Sequence, residues 1–182
     1  AMIAVGAMPV VAALEDASPE GEAARRRLGD YLNATLGEEF ASLGVQLGAR
    51  YDGSAIVAED GAPPADDPIV YRPSSVPGGR APHFWIDGGR GPGSSLFDRL
   101  GVGFTLLCLG RKAPDAGGLA RAAETAGIPL AVLHLPDDEA RALYERDFVL
   151  IRPDQHVAWR GNALPDAADR LLARVTGAAG TR

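Results

Sequence analysis

The chain has 182 residues, a formal net charge of −6 and a single cysteine, Cys108. That length suits one compact domain with an appendage and buries a core without staples; a lone thiol excludes an internal disulfide framework, as expected in a reducing cytosol. Of the 18 basic residues all but Lys112 are arginine, and they form no basic stripe, which argues against a nucleic-acid partner.

The apolar opening "AMIAVGAMPVVAAL" is too short to span a bilayer and lacks the basic flank of a secretory signal. No membrane role is expected, and the location expected is cytoplasmic. The chain starts without a strand and glycine-rich turn of its own, so it reads as a piece of something longer. Residues 20–43 read as a helix that follows a Ser-Pro pair and acidic residues and stops at Gly44. Leu28, Leu32, Leu36, Phe40 and Leu43 recur at three- or four-residue spacing, a one-sided apolar stripe that calls for a partner surface. Arg25, Arg26 and Arg27 follow Glu20 and Glu22 and read as a solvated helix face. "VQLGARY" (Val45–Tyr51) is expected to be a short strand. The proline-rich stretch Ala58–Pro82 is loop, and loops of that length are functional or connect domains.

From His83 a compact pattern begins. "HFWID" is expected as a strand, "GGRGPGSS" as a loop, and "SLFDRLG" as a helical turn or two capped by Ser94 or Ser95. "GFTLLCLG" is a continuous apolar run, as in a buried central strand, and "IPLAVLHL" reads as a second buried strand. Between them "APDAGGLARAAETAG" is a helix ended by Gly127. "DDEARALYER" is a short helix. "DFVLI" and "HVAWR" are strands joined by "RPDQ", a turn with Pro153 in its favoured second position. "PDAADRLLARVTG" closes the chain as a helix, with Pro165 near its start and Gly177 at its end. The crossover forces parallel pairing and the "RPDQ" turn forces antiparallel pairing, so the sheet is mixed. A β-α-β unit followed by a β-β-α unit is the thioredoxin-like α/β arrangement. The domain division that follows is 1–50 as a helical remnant, 51–82 as a Pro-rich connection, and 83–182 as the thioredoxin-like domain.

That arrangement invites a thiol mechanism, which needs a thiolate at a helix N-terminus. "GRKAPDAGG", where Cys-x-x-Cys belongs, contains no cysteine. "TLLC" gives Thr-x-x-Cys, the spacing of peroxiredoxins, but inside an apolar strand. Cys108 therefore reads as a buried structural residue. The proline that thioredoxins carry before their hairpin is missing from "YERDFVLI" as well.

The three histidines show no metal spacing. His134 reads as a packed or capping side chain, and His156 as bonded locally to Asp154. His83 follows "GGRAP", a rigid loop that also holds Arg80. Together the two can recognise an anion or a neighbouring domain; the plainer reading is an arginine-to-backbone clamp on the sheet. "EDGAPPADDP" lacks the spacing of a calcium loop and reads as solvated. No Gly-x-Gly-x-x-Gly follows a strand, and no Gly-x-Ser-x-Gly is present.

In order along the chain stand "GVQLGARYDGSAIV", "RPSSVPGGRAPHFWID", "SLFDRLGVGFTLLCLG", "AGIPLAVLHL" and "LYERDFVLIRPDQHVAWRG". Over roughly residues 40–177 these segments resemble the C-terminal part of class A flavin-dependent aromatic hydroxylases, which act on phenols, chlorophenols and polyketides. The most specific motifs are "GGRAPH" with Trp85 two residues on, and "IRPDQHVAWRG", where Ile151 replaces a valine. The resemblance implies a parent protein whose N-terminal domain binds FAD. There NAD(P)H reduces the flavin, oxygen adds to it, and a phenolic ring is hydroxylated. It also implies a C-terminal thioredoxin-like domain without redox cysteines that braces the flavin domain or supports dimer contacts.

The family's Gly-x-Gly-x-x-Gly, Asp-Gly and Gly-Asp motifs are absent, so no catalytic, cofactor-binding or metal residue is assigned to this chain, which alone is expected to be inactive. Residues 1–50 resemble the last helix of the flavin domain. Only Arg80 and His83 are expected to face the flavin domain or its substrate pocket. The expected partners are that flavin domain and, through the 20–43 helix, a second copy. Two rivals remain open: a stand-alone adaptor using the Pro-rich loop and Arg80, and a thiol enzyme using Cys108.

Overall fold

The computed structural model describes residues 10–111 and 115–180. The chain falls into two compact units, one comprising residues up to Gln46 with Asp67–Tyr71, the other Leu47–Asp66 with the residues from Arg72 onward.

In the first unit the dominant element is α1, Pro19–Phe40. The Ser18 hydroxyl accepts the Gly21 amide at 3.1 Å, which satisfies one of the donors left over at a helix start. Gly21 lies so close to the preceding 3-10 turn, Ala12–Glu15, that a Cβ there would stand 2.1 Å from the Asp16 carbonyl oxygen. Arg25 fastens the same turn by donating to the carbonyls of Leu14 (2.9 Å) and Asp16 (3.0 Å). With Arg26 it also pairs with Glu22, while Arg25, Arg26 and Arg27 are all exposed, as a solvated face requires. Leu28, Leu32 and Leu36 are half-buried; the Phe40 side chain lies outside the described residues.

The helix ends at Phe40 rather than Leu43, and the expected strand from Val45 is not formed. Leu43–Gly48 is a short helix, α2. Local bonding decides this. The Gln46 amide donates to the Ser42 carbonyl at 2.9 Å, and the Gln46 side chain reaches the Ser42 hydroxyl.

The second unit is built on a four-stranded mixed sheet in the order β2-β1-β3-β4, with β1 Phe104–Leu109, β2 Leu130–Leu135, β3 Phe148–Ile151 and β4 Val157–Gly161. β1 and β2 run parallel; β1–β3 and β3–β4 are antiparallel. Every residue of β1 is buried, as its unbroken apolar run requires. Its side chains alternate between two cores. Leu106 and Cys108, with Phe148 and Leu150, pack beneath α4 (Gly117–Thr125) and α6 (Ala168–Val175). Leu107 and Leu109, with Val149 and Ile151, pack against Leu96 of α3 (Leu96–Arg99) and against Ala140 and Tyr144 of α5 (Asp138–Tyr144). Fully burying each such side chain contributes about 1.5–3 kcal/mol before conformational entropy is counted.

Three expectations are corrected here. β2 is an edge strand, not a buried one: Ala131 and His134 are exposed and Val132 and Leu133 half-exposed. "HFWID" is not a strand, because Asp87 (φ 53) and Gly88 (φ 67) turn the chain into a 3-10 turn, leaving Trp85 with a single bridge to Ser95. The final helix, read from Pro165, starts only at Ala168, so that Pro165 stands three residues ahead of α6. Gly127, at φ 66, closes α4 as its position suggested.

The Pro-rich stretch is laid along the outer edge of β4. Ala58 donates to the Ala158 carbonyl (2.8 Å), Gly78 to that of Val157 (2.8 Å), and the Val157 amide to the Gly79 carbonyl (2.9 Å). Gly78 has φ 101, which only glycine adopts without strain. This strap covers an edge that would otherwise present free backbone groups, and it delivers Arg80 and His83.

Candidate functional site

The strap runs into the loop that carries Arg80 and His83. Arg80 forms an isolated antiparallel bridge with His156, and the Ala81 amide donates to the Gln155 carbonyl at 2.8 Å. Its guanidinium donates to Gln155 Oε1 (3.2 Å) and lies over the Phe97 ring, 4.4 Å from the centroid. The clamp expected of Arg80 is thus made on side chains of the hairpin turn and α3. Next in sequence, Pro82 is buried and its carbonyl accepts from the Tyr144 hydroxyl at 2.6 Å.

His83 is exposed. Its Nε2 stands 3.0 Å from Ser95 Oγ. That hydroxyl also accepts the Phe97 amide (3.1 Å) in a capping box with Asp98, so Ser95, not Ser94, caps α3. The imidazole meets Trp85 edge-on at 4.8 Å and lies 5.6 Å from Phe97. Arg80 and His83 are therefore brought together on one aromatic ring. Beyond them the loop and α5 enclose a cavity of about 370 Å³ whose walls include His83, Trp85, Arg90, Glu139 and Leu143. It has an aromatic side, one arginine and two carboxylates, Asp137 and Glu139, a lining suited to a polar surface or a small polar molecule.

Arg160 escaped the sequence reading. It is 6% exposed yet charged. Its Nε donates to both Asp60 oxygens (3.1 and 2.9 Å), and its Nη1 to Ser75 Oγ (2.5 Å) and Glu145 Oε2 (3.0 Å). Arg146 adds a second pair to Asp60 at 3.2 Å. The acidic stretch read as solvated thus supplies a partner for a buried guanidinium, and Asp66 pairs with Arg50 at 2.7 Å. The signal was the arginine in "HVAWRG": an arginine within an apolar strand needs a carboxylate to be buried.

The other candidates resolve locally. His156 Nδ1 lies 2.9 Å from the Asp154 carbonyl, the local bond expected. His134 is exposed rather than packed. Cys108 is fully buried, and burial, assisted by Asp115, pushes its thiol up to about 11. A thiol so held is protonated at neutral pH and is not a nucleophile. Among the described residues no three His, Cys, Asp or Glu side chains are grouped to hold a metal ion, and no helix is long and apolar enough to cross a membrane. At the start of α4 the Asp115 carboxylate accepts the Gly117 amide at 3.0 Å. A carboxylate there repels the pyrophosphate that a dinucleotide would bring to a helix N-terminus, so this turn does not fit FAD.

A model of the family "Aromatic-ring hydroxylase, C-terminal" matches residues 74–179. The chain belongs to that family. An FAD-dependent monooxygenase of Emericella nidulans, apdD, is 36% identical over 150 residues, covering 75% of this chain and 23% of the relative. The phenol 2-monooxygenase of a Pseudomonas species is 31% identical over 166 residues, 81% of this chain and 26% of its own length. Among solved structures, the rebeccamycin biosynthetic enzyme RebC with reduced flavin superposes with a TM-score of 0.76 at 36% identity, covering 93% of this chain and 31% of RebC. The flavin-dependent monooxygenase PieE, in complex with FAD and substrate, gives 0.66 at 31% identity, covering 90% of this chain and 31% of PieE. The chain thus spans about a quarter to a third of the length of these relatives.

Proposed function

We propose that this chain works as the C-terminal, non-redox domain of an FAD- and NAD(P)H-dependent hydroxylase of phenolic rings. The observation that carries the reading is the family match over residues 74–179. The sheet order and the β-α-β then β-β-α sequence support a thioredoxin-like assignment, and the protonated, buried Cys108 supports a role without thiol chemistry.

In this reading FAD supplies the oxygen chemistry and is held by a flavin domain, not by this chain; the carboxylate at the start of α4 favours that division. Residues 1–50 are the last helical part of the flavin domain, 51–82 the connection, and 83–182 the C-terminal domain. Arg80 and His83, both held on Phe97, with His83 in the wall of the cavity, face the flavin domain. What they contribute is position: the guanidinium pins the loop to the hairpin turn, and the imidazole presents a polar edge at the surface. The working location is the cytoplasm.

The test is to purify the chain, offer FAD, and assay NADPH oxidation with a phenol. The reading expects a colourless protein that retains no flavin and oxidises nothing above background. A preparation that binds FAD stoichiometrically, or that turns over NADPH with a phenol, contradicts it.

A further inference from the structure

We propose that the cavity between the His83–Arg90 segment and the start of α5 is a binding site for a free α-amino acid with an aromatic side chain. The inference does not rest on the hydroxylase reading.

Both walls of the cavity stand on fixed backbone. On one side the chain is tied down around Trp85: the Phe84 carbonyl accepts the Leu96 amide (3.1 Å), and the Ile86 amide donates to the Ser94 carbonyl (2.7 Å). On the other, Asp137 Oδ1 accepts the amides of Glu139 (2.8 Å) and Ala140 (3.0 Å), which fixes the first turn of α5. Between them lie about 370 Å³, within the range of small-molecule sites. Trp85 is one of the exposed large apolar side chains, with His83 edge-on to it at 4.8 Å, and Leu143 adds an aliphatic surface.

The charged groups of this lining are unused within the chain. Arg111 pairs with Asp138, and Arg141 with Asp147, yet Glu139 on the same helix has no hydrogen-bond or ion-pair partner for its carboxylate among the described residues. Asp137 uses only Oδ1, which leaves Oδ2 free. Arg90 reaches no carboxylate among the described residues; its guanidinium lies over the Trp85 ring, 5.9 Å from the centroid. A guanidinium and two carboxylates thus line one cavity without closing on each other.

This lining selects a class of ligand. A simple anion would meet Asp137 and Glu139, and a simple cation would meet Arg90; like charges brought together in a recess cost affinity. A zwitterion satisfies both signs. Its ammonium donates to Asp137 Oδ2 and to the Glu139 carboxylate, its carboxylate accepts two parallel bonds from Arg90, and an aromatic side chain packs on Trp85 and Leu143. Arg90 is carried on a stretch with Gly88 (φ 67) and Gly93 (φ 80). That stretch closes over a bound molecule while the Trp85–Ser95 bridge holds its base. A segment of another protein would have to bring a cation, an anion and an aromatic ring side by side; an amino acid carries all three on one carbon.

The experiment titrates the whole chain with L-phenylalanine to about 10 mM, read at the Trp85 indole N–H and the backbone amides in proton–nitrogen correlation spectra. Phenylpropionate and phenethylamine, each lacking one of the charges, are the comparison probes. Saturable shifts are expected at Trp85, Arg90, Asp137 and Glu139, with a Kd between about 0.1 and 1 mM and both comparison probes about tenfold weaker or worse. Arg90→Gln and Glu139→Gln are each expected to weaken L-phenylalanine about tenfold. Both should leave the β1 amides unmoved, which separates a lost contact from a lost fold. No saturation by about 10 mM overturns the proposal and returns the cavity to the polar surface of a protein partner. Equal binding of either single-charge probe overturns it too, as do shifts confined to the α4–α6 groove or binding indifferent to both variants.

Discussion

Arg160 is where the strap, α5 and the sheet are held together. Its guanidinium is desolvated, and five acceptor atoms, three on the strap (Asp60 and Ser75) and two at the end of α5 (Tyr144 and Glu145), compensate for that. Truncation to alanine leaves the Ser75 hydroxyl and the inner Asp60 oxygen short of a donor, and should cost about 3 kcal/mol in urea unfolding. Asp60→Asn should cost less, because it keeps an acceptor. Thr105 makes the opposite case. Its hydroxyl is buried and has no partner among the described residues, so Thr105→Val, which keeps the shape, should be neutral or stabilise by up to about 1 kcal/mol in the same assay. Cys108 makes a pH prediction. Its folded ionisation is raised from 9.0 to about 11, so above pH 9 the unfolded thiol loses its proton first. The burial of the neutral thiol therefore favours the fold fully below pH 9. That contribution is lost as pH rises from 9 to 11, at about 1.4 kcal/mol per unit, a slope that Cys108→Ala should flatten. A thiol reagent should label Cys108 only after unfolding.

At the scale of elements, legibility followed burial. β1, α4, β3, β4 and the Gly127 stop were readable because a central strand and a core-facing helix write their environment into an unbroken run or a clear period. α2 and "HFWID" were not, because each is settled by something a period does not record: the Ser42–Gln46 bonds in one, a left-handed Asp87 in the other. "IPLAVLHL" looked buried because both of its faces touch core, while its exposure comes from lying at the edge, a fact of strand order alone. The strap is the same kind of case. Its prolines mark it as loop, yet the partners of its amides lie about eighty to a hundred residues away. Hydrogen–deuterium exchange should find the amides of Ala58, Gly78 and Ala81 protected far beyond the neighbouring Asp60–Ala62 segment. Rapid exchange at all three would mean that the strap is not fixed.

At the scale of the whole molecule, family was more legible than site. The ordered motifs carried the family because they encode one sheet and its strap together, whereas Arg80 and His83 were visible only as chemistry on a rigid loop. Their convergence on Phe97 needed α3, placed by its capping Ser95, to bring the ring beneath them. Replacing Phe97 by alanine should cost about 3 kcal/mol or less, since it is only partly buried, and should loosen both side chains at once; proteolysis at the 83–93 loop measures that loosening.

The central claim is that this domain serves a flavin domain in one longer protein. The measurement that tests it most directly is the mass and absorbance of the native species drawn from its source cell by an antibody to this chain. The account predicts a yellow protein three- to four-fold heavier than 18.9 kDa, in keeping with the share of its relatives that the chain covers. A colourless native species of 18.9 kDa would contradict it.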